Sequence, residues 1–381
     1  MRVLVLSKTG EGARWAIRAC RRLIDLGWDV HVAVPEGSLT HYYTSGGATV
    51  HAMAVGLSHD PVKTSRRMSA LRRLVADVSP DVIHSWFVTT TISARLALGK
   101  NHPIPRVFQV PGPLHLESPL FRRAEIMTAG PRDSWIATCR WVHRMYLACG
   151  IHPERLWLSY LGTDLSEFEP RRPGRLRIEL ELDNRIRIIG MVAQFYRPKR
   201  YLGQTRGLKG HEDLLDAYSL VRSTHPDTHL AVVGGPWGKA ERYMQRVQRR
   251  ATAMFDSGVS FLGFRRDIAD LYADFNVAVH PSHSENLGGA AESLLLGVPT
   301  VATNVGGFPD IVVPGDTGWL VPPRSPEALA RAIREVLDDP GEAHRRANRG
   351  RERARQLLDV TKTAEEVSQA LTAAVRSAAG A

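Results

Sequence analysis

Short apolar runs alternate with longer stretches of helical period along most of the chain. Residues 2–6 (Arg-Val-Leu-Val-Leu) read as a buried strand, 10–12 as a glycine-bearing loop, and 13–26 as a helix that stops before Gly27. Further strands are expected over 29–34, over 81–84 with a strand end at His84, and over 106–110. A second series begins near Arg185, with strands over 186–192, 229–233, 259–263 and 300–303 and helices over 211–221 and 267–273. Ser325 followed by Pro326 opens another helix, with serine as N-cap and proline in the first position. Such alternation predicts an α/β protein whose parallel sheets are covered on both faces. The two series meet near Pro170-Arg171-Arg172-Pro173. Residues 1–168 are therefore expected to form an N-terminal Rossmann-like domain, 169–184 a linker, and 185–358 a C-terminal Rossmann-like domain. An alanine-rich helix over 359–381 is expected to pack back on the first domain.

With 381 residues, both halves have enough chain for a full core. Hydrophobic residues at 43% and charged residues at 23% exclude a disordered chain. No apolar run approaches the roughly 18 residues of a spanning helix, and the opening Met1 to Ser7 reads as a first strand and not a secretion signal. Three cysteines (Cys20, Cys139, Cys149) without CxxC spacing point to a reducing cytoplasm and away from a disulfide framework or a zinc site. The formal charge of +11 is spread along the chain, which suits a solvated surface as well as anionic partners such as a membrane face. No mixed aromatic and basic motif of a nucleic-acid module stands out, so no nucleic-acid partner is expected.

The most informative stretch runs from Ser284 through Glu285-Asn286-Leu287-Gly288-Gly289 and Glu292 to Gly297-Val298-Pro299. It follows the apolar run Val277-Ala278-Val279 and reads as strand, glycine loop, helix, turn and strand. Two glutamates thus bracket a helix start whose free amide N–H groups suit an anion. Carboxylates beside a phosphate-ready helix end fit a ligand with hydroxyls as well as phosphate. A nucleotide sugar has both.

This stretch resembles the donor-site signature of retaining family 4 glycosyltransferases, which have the GT-B fold, two Rossmann-like domains facing a central cleft. Glu285 and Glu292 are seven positions apart, one fewer than in the family; either a loop residue is missing or Ser284 holds the place of the first glutamate. The order of carboxylate, apolar residue and glycine at Glu285, Leu287 and Gly288 favours the missing residue. Tyr160-Leu161-Gly162-Thr163-Asp164, Gly210-His211-Glu212-Asp213-Leu214-Leu215 and Val305-Gly306-Gly307-Phe308-Pro309-Asp310 resemble further family motifs in the family's order.

The resemblance implies roles for particular residues. Lys209 matches a lysine that contacts the leaving diphosphate. The accompanying arginine's place falls at Gln194, and the segment that follows offers Arg197, Lys199, Arg200 and Arg206. Arg206, nearest Lys209, is the choice among residues 197–206. Glu285 would contact the transferred sugar and Glu292 the ribose, while the backbone of Asn286, Leu287, Gly288 and Gly289 approaches sugar and phosphate. Gly10 and Gly12 would border the diphosphate from the first domain. That glycine pair also fits a tight strand-to-helix turn, but no acidic residue ends the second strand to complete a dinucleotide fingerprint. His115 resembles a histidine that contacts the donor sugar, and His84, with His283 behind it, would face the acceptor at a strand's carboxyl edge. Glu285, Arg206, Lys209 and His115 are thus the catalytic candidates.

The function implied is retaining, metal-independent transfer of a hexose-type sugar from a UDP- or GDP-linked donor, with no cofactor. The acceptor would be a glycan, a lipid-linked molecule or a small molecule, in bacterial surface-polysaccharide or glycoconjugate synthesis. The expected location is the cytoplasm, at the inner membrane face if the protein docks on anionic lipid. Loops over 37–62 and 116–132 would set acceptor choice. The alternatives are a nucleotide-sugar epimerase or hydrolase of the same fold, or a nonenzymatic binding protein that keeps it.

Overall fold

In a computed structural model the described residues are 1–11, 14–199 and 203–380. They form two units, one of Met1–Asp164 with Leu357–Ala381 and one of Leu165–Gln356.

The first unit holds β1 (Arg2–Leu6), β2 (Asp29–Val34), β3 (Thr49–Ala52), β4 (Val82–Trp86), β5 (Arg106–Val110), β6 (Asp133–Ala137) and β7 (Leu156–Leu158). They pair in parallel in the order β3-β2-β1-β4-β5-β6-β7. All residues of β4, β5 and β6 are buried, as expected of strands covered on both faces. One face packs against the helix Arg14–Asp25 and against the helix Val360–Ala379, whose Val367, Ala370, Leu371 and Ala374 join Val3, Leu23 and Trp86 in one core. Trp28 Nε1 donates to Ser368 Oγ at 2.8 Å, tying the last helix to the turn before β2.

The second unit holds β8 (Arg187–Val192), β9 (Thr228–Val233), β10 (Val259–Phe261), β11 (Val277–His280), β12 (Thr300–Thr303) and β13 (Trp319–Val321). Their parallel order is β10-β9-β8-β11-β12-β13, the same progression as in the first sheet. Helices His211–Arg222 and Pro326–Asp338 cover one face, their Leu214, Tyr218, Ile333 and Leu337 meeting Ile189, Val232 and Val279.

Residues 169–184, expected as a linker, are instead part of this second unit. Arg175–Glu179 is a helix with Leu176 fully buried. The Asp274 carboxylate accepts hydrogen bonds from the backbone N–H of Gly174 and of Leu176, each at 2.7 Å. The prolines and arginines around position 170 suggest an open connection, but the apolar Leu176 has a pocket to fill and the arginines have aspartates to meet: Arg175 pairs with Asp270 at 2.6 Å and Asp267 at 3.0 Å.

Candidate functional site

In the second sheet the connection after β8 leads to β9 on one side, while β11, its other neighbour, continues to β12. At such a switch point the loops diverge and leave a crevice at the carboxyl edge of the strands. The segments that leave this edge are 193–199 and 203–210 after β8 and 281–287 after β11, and they are fastened together. His283 N–H donates to the Leu208 carbonyl at 2.8 Å. Gly210 has φ +73°, and a Cβ there would lie 2.0 Å from the Pro281 carbonyl oxygen, so only glycine permits this approach. The side chains then meet: Lys209 Nζ pairs with Glu285 Oε2, their side chains 17% and 14% exposed. The Tyr196 ring lies 5.6 Å from the same ammonium. Burial works against the Lys209 charge, but the Glu285 carboxylate outweighs it, and Tyr196 and Glu292 add to the effect; the lysine's pKa is raised and it stays charged. The Tyr196 phenol is pushed up by burial, with Lys209 opposing.

The glutamate loop is held from behind. Glu285 Oε1 accepts from Asn286 N–H at 3.1 Å, and Gly307 N–H donates to the carbonyls of Glu285 at 3.3 Å and Asn286 at 3.1 Å. Gly288 has φ +37°, and a Cβ there would stand 2.8 Å from the Glu285 carboxyl carbon. At Gly289 a Cβ would stand 2.8 Å from His280 Cε1 and 3.1 Å from the Val192 carbonyl. The helix Gly288–Leu295 therefore starts against the end of β8, with buried Leu287 as an N-cap that supplies no side-chain acceptor. Its first amides are left for another acceptor. Glu292 stands one turn in, half-buried and close enough to raise the pKa of Lys209. The structure thus brings Lys209, Glu285, Asn286, Leu287, Gly288, Gly289 and Glu292 to one edge.

Arg206 is placed differently from the expectation. Its Nη1 pairs with Asp213 and with Asp216 Oδ2 at 2.9 Å, so the guanidinium serves two carboxylates and is not the free phosphate clamp assigned to it. The reason is the acidic first turn of the helix His211–Arg222, which Arg206 lies across. Arg197 is exposed, and Arg200 lies outside the described residues.

In the first unit, Gly10 is buried, and a Cβ there would meet the Pro35 carbonyl at 2.5 Å. Its carbonyl accepts from Leu39 N–H at 2.9 Å, so this glycine lets the loops after β1 and β2 touch. Gly12 lies outside the described residues. His115, on the short helix Leu114–Glu117, has Nε2 3.2 Å from the Tyr146 hydroxyl, and burial lowers its pKa to about 4. His84 is a correction. β4 runs two residues further than expected, to Trp86, which leaves His84 mid-strand, fully buried between Val5 of β1 and Val107 of β5. Burial pushes its pKa down to about 3, so it is a neutral core residue with no face toward an acceptor. The carboxyl edge falls instead at Phe87, whose φ of +72° is unusual for a bulky residue.

Tyr196, His280 and the pairing of Asp213 with His283 escaped the sequence reading. Tyr196 carries no motif signal. Asp213 and His283 pair through Oδ2 and Nε2 across 70 positions, a partnership only the fold reveals. His280, at the end of β11, bonds Ser293 Oγ at 3.0 Å, and Ser293 in turn lies 2.8 Å from Thr300 Oγ1, pinning the helix Gly288–Leu295 to the sheet.

Two parallel-sheet units of this order, one with a charged, glycine-opened edge at its switch point, define a protein of the GT-B class. Residues 200–353 match the family model for glycosyl transferases group 1, and residues 12–167 match that for glycosyltransferase family 4. The chain belongs to the family 4 glycosyltransferases and is a glycosyltransferase. It is 27% identical over 351 residues to a glycogen synthase of Mycobacterium tuberculosis (strain CDC 1551 / Oshkosh), covering 88% of this chain and 78% of the relative. It is 32% identical over 244 residues to a D-inositol 3-phosphate glycosyltransferase of Thermomonospora curvata, covering 61% of this chain and 55% of the relative. The fold is shared with Anabaena Alr3699/HepE in complex with UDP-glucose, at a TM-score of 0.80 and 20% identity over 98% of this chain and 99% of the other. It is shared too with sucrose-phosphate synthase of Thermosynechococcus elongatus, at a TM-score of 0.76 and 23% identity over 97% and 98%.

Proposed function

We propose that this chain transfers a hexose-type sugar from a UDP- or GDP-linked donor, with retention and without a metal, to a glycan, lipid-linked or small-molecule acceptor. The observation that carries the reading is the Lys209–Glu285 pair beside the uncapped helix start of Gly288–Leu295. A leaving diphosphate needs its growing negative charge neutralised. Lys209 supplies a cation that stays charged while buried, and the amides of Gly288 and Gly289 supply dipoles at a helix N-terminus. As the phosphate takes over the ammonium, Glu285 is released to accept hydrogen bonds from sugar hydroxyls, and Glu292 accepts from the ribose. No general base is assigned, because the acceptor proton leaves toward the departing phosphate. UDP-glucose in the HepE complex supports a nucleotide-sugar donor, and the glycogen synthase and inositol-phosphate relatives support sugar transfer to a hydroxyl.

The proposed setting is bacterial surface-polysaccharide or glycoconjugate synthesis, in the cytoplasm. No helix of the described residues is long and apolar enough to cross a membrane. The helix Pro119–Thr128 leaves Leu120 75% exposed and Met127 59% exposed, with Arg123 beside them, which supports docking on an anionic lipid surface. Salt-sensitive sedimentation with anionic liposomes is the expected result, and none at low salt removes the docking.

Thermal-shift screening against UDP- and GDP-sugars tests the donor. A true donor at 100 times its Kd stabilises the folded state by about 2.7 kcal/mol. Product from that donor must retain the anomeric configuration, with chelator present, whereas release of free sugar at the full rate without acceptor would favour a hydrolase.

A further inference from the structure

The donor-site reading uses the ends of two loops and leaves unexplained the buried aspartate behind them. Asp213 sits in the first turn of the helix His211–Arg222, its side chain 3% exposed. Its Oδ1 accepts from Arg206 Nη1 and its Oδ2 from His283 Nε2. Burial opposes the Asp213 charge, but the bonds from His283 and Arg206 prevail and its pKa is lowered. An acidic residue in a first helical turn is favourable by itself through the helix dipole. That accounts for an exposed aspartate, not for one buried with both oxygens engaged from different loops.

The chain positions of those partners matter. Arg206 lies three residues before Lys209, and His283 lies two residues before Glu285. His283 is held at both ends, its backbone N–H on the Leu208 carbonyl at 2.8 Å and its ring on Asp213. Arg206 is anchored a second time by Asp216, which also pairs with Arg250. One carboxylate therefore joins the loop that carries the lysine to the loop that carries the glutamate.

We infer that Asp213 is a positioning residue for sugar transfer, which acts through Arg206 and His283 to hold Lys209 at the diphosphate position beside Glu285. Arg206, in this account, steers the lysine loop and does not touch phosphate. The inference rests on the donor-site reading and adds to it a residue that touches no substrate. Misplacing a charged group by about 1 Å is enough to cost on the order of 100-fold in rate.

Calorimetric titration of whichever of UDP and GDP stabilises the native chain, and of the matching nucleoside, separates positioning from simple loss of fold. Asp213→Asn keeps the shape but turns a donor toward either Arg206 or His283. The expected result is diphosphate binding weakened by about tenfold or more, with nucleoside binding unchanged. His283→Ala is expected to repeat this loss, and His283→Gln, which keeps a donor toward Asp213, to restore most of it. Midpoints of thermal unfolding, measured alongside, give the folded fraction for each variant. Equal loss of nucleoside and diphosphate binding, or no difference between the Gln and Ala variants, overturns the proposal. Failure of the native chain to bind either diphosphate overturns the donor-site reading, and this proposal with it.

Discussion

The two sheets follow the same strand order, yet their switch points differ in chemistry. In the second unit the carboxyl edge carries Lys209, Glu285 and Glu292 on loops that glycines bring within touching distance. In the first unit the loop after β1 carries buried Gly10 between exposed Lys8 and Glu11, and β4 ends at buried Trp86, which packs edge to face on Trp15 at 5.0 Å just before the outlying Phe87. One topology thus supplies a buried Lys–Glu pair in one half and exposed charges over an aromatic core in the other. Fold places a crevice, and the residues that line it decide what it can hold.

The largest effect that sharpens this contrast is expected from Lys209→Ala. Removing the cation that meets the leaving group should lower transfer by at least about 100-fold, measured as kcat in a coupled diphosphate-release assay. A comparable kcat in the variant would move the chemistry to another edge.

Next comes the glycine that lets the two loops touch. At Gly210 an added Cβ meets Pro281 O at 2.0 Å and inherits a left-handed backbone, so Gly210→Ala should cost roughly 2–4 kcal/mol in denaturant unfolding. Gly10→Ala, with its closest approach at 2.5 Å to Pro35 O and no such backbone demand, should cost less, about 1–3 kcal/mol. A reversed order would mean that the loops of the second unit yield more easily than their packing implies.

Smaller still, and opposite in sign for binding, is Glu285→Gln. The carboxylate that holds Lys209 in the free protein competes with an incoming phosphate, and a neutral amide does not. Affinity for the bare nucleoside diphosphate should rise by about tenfold, while sugar transfer falls. Weaker binding would mean that Glu285 assists the phosphate.

A dependence on pH is shared by both halves. Burial lowers His84, His211 and His280 to about 3 and His115 to about 4, against an ordinary 6.5. Folded, these rings stay neutral, and unfolded they take up protons below about pH 6.5. Their contribution to stability is therefore complete above that pH and is lost as the pH falls through about 4 for His115 and about 3 for the other three. Thermal midpoints from pH 8 to 4.5 should decline in the acid range only, and a flat profile would contradict these burials.

Much of this was legible in the chain. Strands of the second series appear as apolar runs, two of them, 229–233 and 259–262, closed by a glycine, and Glu285, Gly288, Glu292 and Gly297 mark the candidate donor stretch without any structure. Lys209 is found by its neighbour Gly210. What stayed hidden depends on distance or on parity. His84 looked like a strand end, because nothing in Ser85-Trp86 says that the strand continues, and two further residues turn an edge into a core. Arg206 looked free because its partners Asp213 and Asp216 lie seven and ten positions further on, in the next helix. The segment 169–184 looked open because the reason it folds, Asp274, lies about a hundred positions away.

The most direct test of the central claim is the dissociation constant of the stabilising nucleotide sugar, measured for the native chain, Lys209→Ala and Glu292→Ala. The account predicts a loss of at least about 100-fold for the lysine variant and a smaller but clear loss for the glutamate variant, with both variants folded. Unchanged constants in both would show that the donor lies elsewhere.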